Sequence, residues 1–246
     1  MLQNENIYLF LAILPLVSFL YSSVGHGGAS GYLALMALFS FAPESMKPTA
    51  LLLNLFVAGI SFFYYYREGY FNKKLFLVFA VASVPLAFIG GTIEVDASIY
   101  KKILALLLIF AILKMLHVFG KENDQTKEAR LWQGLVVGGV IGFFSGLIGI
   151  GGGIILTPVI LLLHWGNMKE AAAVSALFIW VNSAAGLTGQ LSSGITIEKE
   201  SFLLVGIALI GGVLGGYYGS KKINNQNLRY ILAFVLIIAS VKLFFT

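Results

Sequence analysis

Two glycine clusters are the parts of this chain whose residue types and spacing best suit ligand binding. The first occupies residues 25–31 (GHGGASG) and the second residues 149–153 (GIGGG), and each interrupts a long apolar stretch. In a bilayer an unpaired backbone N–H or C=O is costly, so a helix breaks only where protein or a water-filled cavity satisfies these groups. One such break in each half of a chain is typical of a binding site in a transporter.

Each cluster places consecutive backbone N–H groups at the start of a short apolar segment. A helix N-terminus carries about half a positive charge and favours anions. Glycine also lets a ligand approach the backbone closely. No Lys or Arg lies in the middle of an apolar segment, so we expect backbone amides to be the main anion ligands.

Polar side chains extend the candidate site. His26 is expected to contact the anion, to carry a coupling proton, or only to bond a nearby carbonyl. Asn54 and Asn182 both lie inside the third apolar segment of their half. No Asp or Glu lies in mid-segment, which disfavours a carboxylate proton relay or sodium site. The predicted binding residues are Gly25, His26, Gly27, Gly28, Ser30, Asn54, Gly149, Gly151, Gly152, Gly153, Thr157 and Asn182, with Ser22, Ser145, Ser175, Ser183 and Gln190 as further donors.

Composition decides the class of protein. Of 246 residues, 59% are hydrophobic and 11% charged, and the mean hydropathy is +0.91. Continuous apolar runs predict membrane helices and exclude both a soluble domain and a β-barrel. There is no cysteine, so thiolate metal sites and thiol nucleophiles are excluded, and we expect no metal and no cofactor. The net charge is +5. The basic residues lie in or beside short loops, where they set the orientation of the protein in the membrane, so they do not indicate nucleic-acid binding.

The two halves of the chain have matching residues, which indicates an internal duplication. Gly25 corresponds to Gly149, Gly90 to Gly215, and Lys101 to Arg229. We predict a first membrane repeat at 1–119, a polar linker at 120–131 and a second repeat at 132–246. The ten predicted segments lie near 6–24, 28–41, 48–66, 74–93, 100–118, 132–148, 152–164, 171–190, 201–219 and 227–245.

Five segments per half predict an all-α polytopic membrane protein with two inverted repeats. The protein is predicted to lie in the cell inner membrane. The side richer in Lys and Arg is predicted to face the cytoplasm, so both termini are predicted to lie on the opposite, outer side. The second segment of each half is about 20 Å long at about 1.5 Å per residue. Since this is too short to cross, each glycine cluster is expected to be the sunken tip of a helical hairpin, and the two hairpins are expected to enter from opposite faces.

Some features favour plainer roles. The glycine pairs at 138–139, 211–212 and 215–216 are expected to serve close helix packing. Tyr64, Tyr65, Tyr66 and Trp132 are expected in the interfacial aromatic belt.

The sequence GLIGIGGG at 146–153, followed by Thr157-Pro158, resembles a signature of the sulfite exporter TauE/SafE family, and SSVGHGG at 22–28 resembles its weaker duplicate. The resemblance covers essentially the whole chain. It implies a permease, not an enzyme, that moves sulfite, thiosulfate or organosulfonates across the lipid bilayer. From the two repeats we expect alternating access, in which one repeat or bundle rocks against the other. His26 and Ala29-Ser30 depart from the plainer family pattern. A homo-oligomer is compatible with the sequence.

Two other functions share features with this sequence. GASG at 28–31 matches the serine motif of rhomboid intramembrane proteases, but no histidine on another helix is well placed to act as its base. A protease is therefore disfavoured. A passive anion channel stays open, because channels and transporters both use amide-lined breaks with few charges.

Overall fold

A computed structural model describes residues 7–115 and 127–221, together with residues 237 and 241. Within the two long stretches the chain is all-α and multi-pass. Its helices are α1 Ile7–Ser22, α2 Ala29–Leu38, α3 Pro43–Arg67, α4 Lys73–Thr92, α5 Ala97–Met115, α6 Leu131–Ile148, α7 Gly153–Leu162, α8 Met168–Ser192 and α9 Glu200–Lys221. Five of them, α3, α4, α6, α8 and α9, are long and apolar enough to cross a membrane. The predicted segment at 227–245 lies outside the described residues apart from positions 237 and 241.

Among the five membrane-crossing helices, α3 and α8 begin several residues earlier than the sequence predicts. α3 begins at Pro43, not near 48, because proline is well tolerated in the first turn of a helix. α8 begins at Met168, not near 171, because Asn167 and Glu170 form a capping box. The polar residues that read as loop are therefore the first turns of the two longest helices.

The predicted hairpins are present. The ring of Phe10, early in α1, stacks on that of Phe41 just beyond α2, with centroids 4.8 Å apart. Near the turn, Ser30 Oγ donates to Tyr21 Oη at 2.9 Å. In the other half, Lys127 N before α6 donates to His164 O after α7. Each short helix thus returns to the end of the bundle at which its longer partner begins.

α3 and α8, the third segments of the two halves, cross in an antiparallel sense. Asn54 bonds to Ser183, while a Cβ built on Gly59 would lie 3.3 Å from Trp180. Before Asn54 on α3 and after Ser183 on α8, a Cβ built on Gly186 would lie 3.4 Å from Leu51. We define the first face as the end where α3 begins and the second face as the end where α8 begins. The α1–α2 hairpin opens at the first face and the α6–α7 hairpin at the second.

Glycine rows hold the hairpins against the long helices. On α6, a Cβ built on Gly138 or Gly142 would lie 2.3 Å from a carbonyl oxygen of α4. On α9, a Cβ built on Gly211 or Gly215 would lie 1.9 or 2.2 Å from a carbonyl oxygen of α1. The packing role predicted for Gly138, Gly211 and Gly215 is confirmed, since only a residue without a side chain permits such backbone approach, and Gly142 packs in the same way.

Candidate functional site

Both helix interruptions depend on left-handed backbone. The first break, residues 23–28, has φ of 75° at Gly25 and 103° at Gly28, which is the N-cap of α2. The second break, residues 149–152, has φ of 86° at Gly149 and 80° at Gly152, the N-cap of α7. Residues with a side chain rarely adopt this backbone conformation, so glycine is required for the turn itself.

The two breaks meet at the side chain of Asn54. Its Oδ1 accepts a hydrogen bond from the first amide of α2, Ala29 N, at 3.1 Å. A Cβ built on Gly27 would lie 2.4 Å from Oδ1, and one built on Gly151 would lie 2.5 Å from Nδ2. Asn54 is fully buried and adjoins Leu55, the central residue of the 25-residue α3. The breaks therefore meet at the middle of the longest helices.

Asn182 has different hydrogen-bond partners from Asn54, with which the sequence paired it. Asn182 Nδ2 donates to Phe178 O one turn earlier in α8, at 2.8 Å, and its buried Oδ1 has no hydrogen-bond partner among the described residues. A Cβ built on Gly151 instead lies 2.8 Å from Ile179 and 3.2 Å from Ser183 Oγ. On α8, Ile179 and Ser183 border Gly151 of the second break, and Phe178 borders Gly152.

His26 makes a second link between the halves. Its Nδ1 lies 2.9 Å from Val24 O, and its Nε2 lies 3.2 Å from Thr157 Oγ1 on α7. Because a carbonyl only accepts, Nδ1 carries the proton of a neutral ring, and Nε2 accepts from the threonine hydroxyl. Thr157 Oγ1 in turn lies 2.8 Å from Ser175 Oγ. Of the roles that the sequence allowed for His26, the bond to a nearby carbonyl is present, and the contact with Thr157 is an additional one.

Three other predicted residues, Ser30, Gly153 and Gly25, make local contacts around the breaks. Ser30 bonds inside its own hairpin, to Tyr21. Gly153 is the first residue of α7, where a Cβ would lie 2.3 Å from Ile179. Gly25 packs on the start of α8, where a Cβ would lie 2.5 Å from that of Ala172. These contacts set the position of the breaks more than they line the space between them.

Two buried tyrosines anchor the breaks, and the sequence did not single them out for this role. Tyr65 Oη donates to Ser23 O at 3.0 Å, and Tyr100 Oη donates to Ile148 O at 3.1 Å. Placing Tyr65 in the interfacial belt was wrong, because its side chain is fully buried. Its position one turn after Ser61, on the stripe that carries Asn54, is the periodic signal that indicates burial.

A buried lysine also corrects the sequence interpretation. Lys47 was placed in a loop, but it lies in the second turn of α3 and is 8% exposed. Its Nζ donates to Ile93 O at 3.3 Å. A Cβ built on Gly149 would lie 3.1 Å from Lys47 Cγ. A buried lysine therefore lies beside the second break, just outside the predicted segment at 48–66.

A cavity of about 300 Å³ opens beside α3 at the first face. Two carboxylates line it, so it does not suit an anion. No cluster of three or more His, Asp or Glu side chains suited to a metal occurs in the described part of the chain. The lining residues are Glu44, Ser45, Pro48, Thr49, Gly194, Ile195, Thr196 and Glu198.

Comparison with known proteins agrees with this architecture. The family model for the sulfite exporter TauE/SafE matches residues 9–243. A probable membrane transporter protein of Sinorhizobium fredii is 34% identical over 98% of this chain and 99% of its own length. Another, from Methanocaldococcus jannaschii, is 28% identical over 92% of this chain and 94% of its own. No solved structure matches significantly. With glycine-broken hairpins in each half and a family match over nearly its whole length, this chain belongs to the sulfite exporter TauE/SafE family of membrane proteins.

Proposed function

We propose that this protein is a secondary transporter of small sulfur-containing anions, and that the anion binds between the two breaks. The observation that carries the proposal is the contact of Gly27 and Gly151 with opposite ends of one buried amide, that of Asn54. Two helix N-termini, of α2 and α7, start beside that amide. Their dipoles favour negative charge at this point.

Asn54 has a defined role in this proposal. Its Oδ1 already occupies one amide of α2, that of Ala29. An arriving oxyanion is a stronger acceptor than a carboxamide oxygen, because hydrogen bonds to ionised groups are about twice as strong as neutral ones. The anion would take the α2 amide, and Asn54 Nδ2, now bonded to Ser183, would remain as a donor.

The antiparallel crossing of α3 and α8 supports the inverted repeat and alternating access. If the halves are related by an axis in the membrane plane, each break is reached from the face opposite to that of the other. The anion site would then open to one face at a time as the hairpins move against the long helices. We place the protein in the cell inner membrane with both termini outside, as the distribution of basic residues predicts.

The arrangement offers no support for a protease. Ser30 Oγ donates to Tyr21 Oη, and both atoms belong to the first hairpin. A serine nucleophile would need a histidine base within about 3 Å. A non-enzymatic permease is the function we propose.

Flux measurements in proteoliposomes test the proposal. Sulfite, thiosulfate, sulfate, taurine and sulfoacetate would each be offered to the purified, reconstituted protein. We expect saturable flux of at least one sulfur anion, with inhibition by the related anions. Flux that stays linear with concentration at channel rates would replace the transporter with a passive anion channel. No flux of any of the five would refute the sulfur-anion substrate.

A further inference from the structure

We propose that Lys47 and Lys169 are paired anion-capture residues, one at each face of the bundle and each beside one of the two breaks. The inference rests on the anion-transport function proposed above. It assigns to each lysine the first contact with an anion that enters from its own face. Neither residue lies at the midplane, so the roles of capture and of midplane binding are separate.

Lys47 lies beside the second break. Its stem borders Gly149, and Nζ donates to Ile93 O, the carbonyl that follows the last residue of α4. Asn54 lies about two turns further along the same helix, towards the middle of the bundle. Lys47 therefore stands between the first face and the point where the breaks meet.

Lys169 has the corresponding place beside the first break. Its Nζ donates to Gly219 O at 2.8 Å and to Ser220 O at 3.2 Å, in the last turn of α9. The ammonium also lies 5.5 Å from the ring centroid of Tyr65, whose hydroxyl donates to Ser23 O in the first break. Because α8 begins at the second face, Lys169 stands on the opposite side of the bundle from Lys47.

The two lysines share a pattern of position and contacts in the two halves, which a helix-capping role for one of them alone would not explain. Each lies early in a 25-residue helix and bonds the C-terminal carbonyls of the next helix, α4 for Lys47 and α9 for Lys169. Each also interacts electrostatically with one exposed carboxylate, Glu94 or Glu68. The same device therefore occurs at both ends of the route that alternating access requires.

The chemistry of the ammonium suits capture. In the resting arrangement its hydrogen bonds go to neutral carbonyls, whereas an oxyanion accepts a charge-assisted bond that is stronger. The flexible stem of lysine allows Nζ to exchange one acceptor for another while its backbone stays fixed. Partial burial lowers the effective dielectric, so an anion at the mouth gains more from this charge than from an exposed lysine.

Kinetics from each side separate capture from helix capping. Whole cells present the first face to added substrate under the predicted orientation, and inside-out vesicles present the second. Initial rates would be measured with ³⁵S-labelled sulfite and thiosulfate at both faces. We expect Lys47→Gln to raise KM about tenfold at the first face only, and Lys169→Gln to do so at the second face only. kcat should stay within about twofold, and Lys→Arg at either position should keep the low KM.

Matched controls carry the same loss of charge at exposed positions. Lys199→Gln serves the first face and Lys73→Gln the second, and both should leave KM unchanged. An unchanged KM in the Lys47 and Lys169 variants, or an equal change at both faces, would overturn the capture role. Should Lys47→Gln not fold, the Lys169→Gln result at the second face decides alone. Absence of saturable flux in the unmodified protein would instead overturn the proposed transport function itself.

Discussion

Asn54 Nδ2 donates a hydrogen bond to Ser183 Oγ at 3.2 Å, and this bond joins α3 of the first half to α8 of the second. The same carboxamide accepts from Ala29 N with its other end. One side chain thus connects the start of the short helix α2 to the opposite half of the molecule. Under the proposed function, an anion that binds at the α2 N-terminus would compete for the amide of Ala29, and its binding would be coupled to the contact between α3 and α8.

The first prediction concerns the space at Gly27. A Cβ there would lie 2.4 Å from Asn54 Oδ1, so Gly27→Val should displace the carboxamide and reduce initial transport rates at least tenfold. Membrane insertion should be intact. Gly206→Val is the matched control, because a Cβ on Gly206 meets nothing within 4 Å. Transport by Gly27→Val at the rate of the Gly206 variant would refute a ligand site at this break.

The second prediction concerns charge at Asn54. Asn54→Asp would place a tethered carboxylate at the N-terminus of α2, where negative charge is favoured by up to about 2 kcal/mol in partly buried settings. We expect this variant to fold but to transport at less than a tenth of the normal rate, because the carboxylate competes with the anion.

Asn182→Asp provides the contrast for this experiment. Asn182 is equally buried, but its amide donates within its own helix. A carboxylate at position 182 is not stabilised by a helix N-terminus, so we expect Asn182→Asp to have a lower melting temperature than the unmodified protein. Normal transport by Asn54→Asp, measured at saturating thiosulfate or sulfite, would exclude an anion site at α2.

The third prediction concerns the contact between His26 and Thr157. Their atoms lie 3.2 Å apart, and the bond links the first break to α7. Thr157→Val and His26→Ala should each lower the melting temperature, and the double variant should lose less than the sum. Hydrogen bonds of this kind contribute about 0.5–1.5 kcal/mol, which a double-mutant cycle resolves. Strict additivity would show that the two side chains do not interact.

The fourth prediction concerns the anchoring of the first break. Tyr65→Phe removes the hydroxyl that bonds Ser23 O and should destabilise the protein by about 1 kcal/mol while leaving a buried carbonyl without its donor. Tyr66→Phe is the control one residue away, since Tyr66 is 57% exposed. Thermal unfolding in detergent measures both. Equal melting temperatures would show that the hydroxyl does not hold the break.

The sequence was sufficient for those features that depend on local chemistry. Hydropathy predicts the membrane helices because a buried backbone must satisfy its own hydrogen bonds. Glycine clusters predict the breaks because positive φ at Gly28 and Gly152 excludes most other residues. The short second segments predict the hairpins through length alone. The glycine rows on α6 and α9 likewise indicate close packing before any contact is known.

Pairings between distant residues were decided only by tertiary structure. Asn54 and Asn182 occupy similar places in the two halves, yet their side chains make different contacts, because helix phase and crossing position decide what each one meets. Lys47 reads as a loop residue until α3 is seen to begin at Pro43. The sequence alone predicts an interfacial position for Tyr65, whereas the structure shows that its hydroxyl donates to Ser23 O. The physical reason is common to all three: local propensity sets where a helix breaks, but the partners of a buried polar group depend on how whole helices cross.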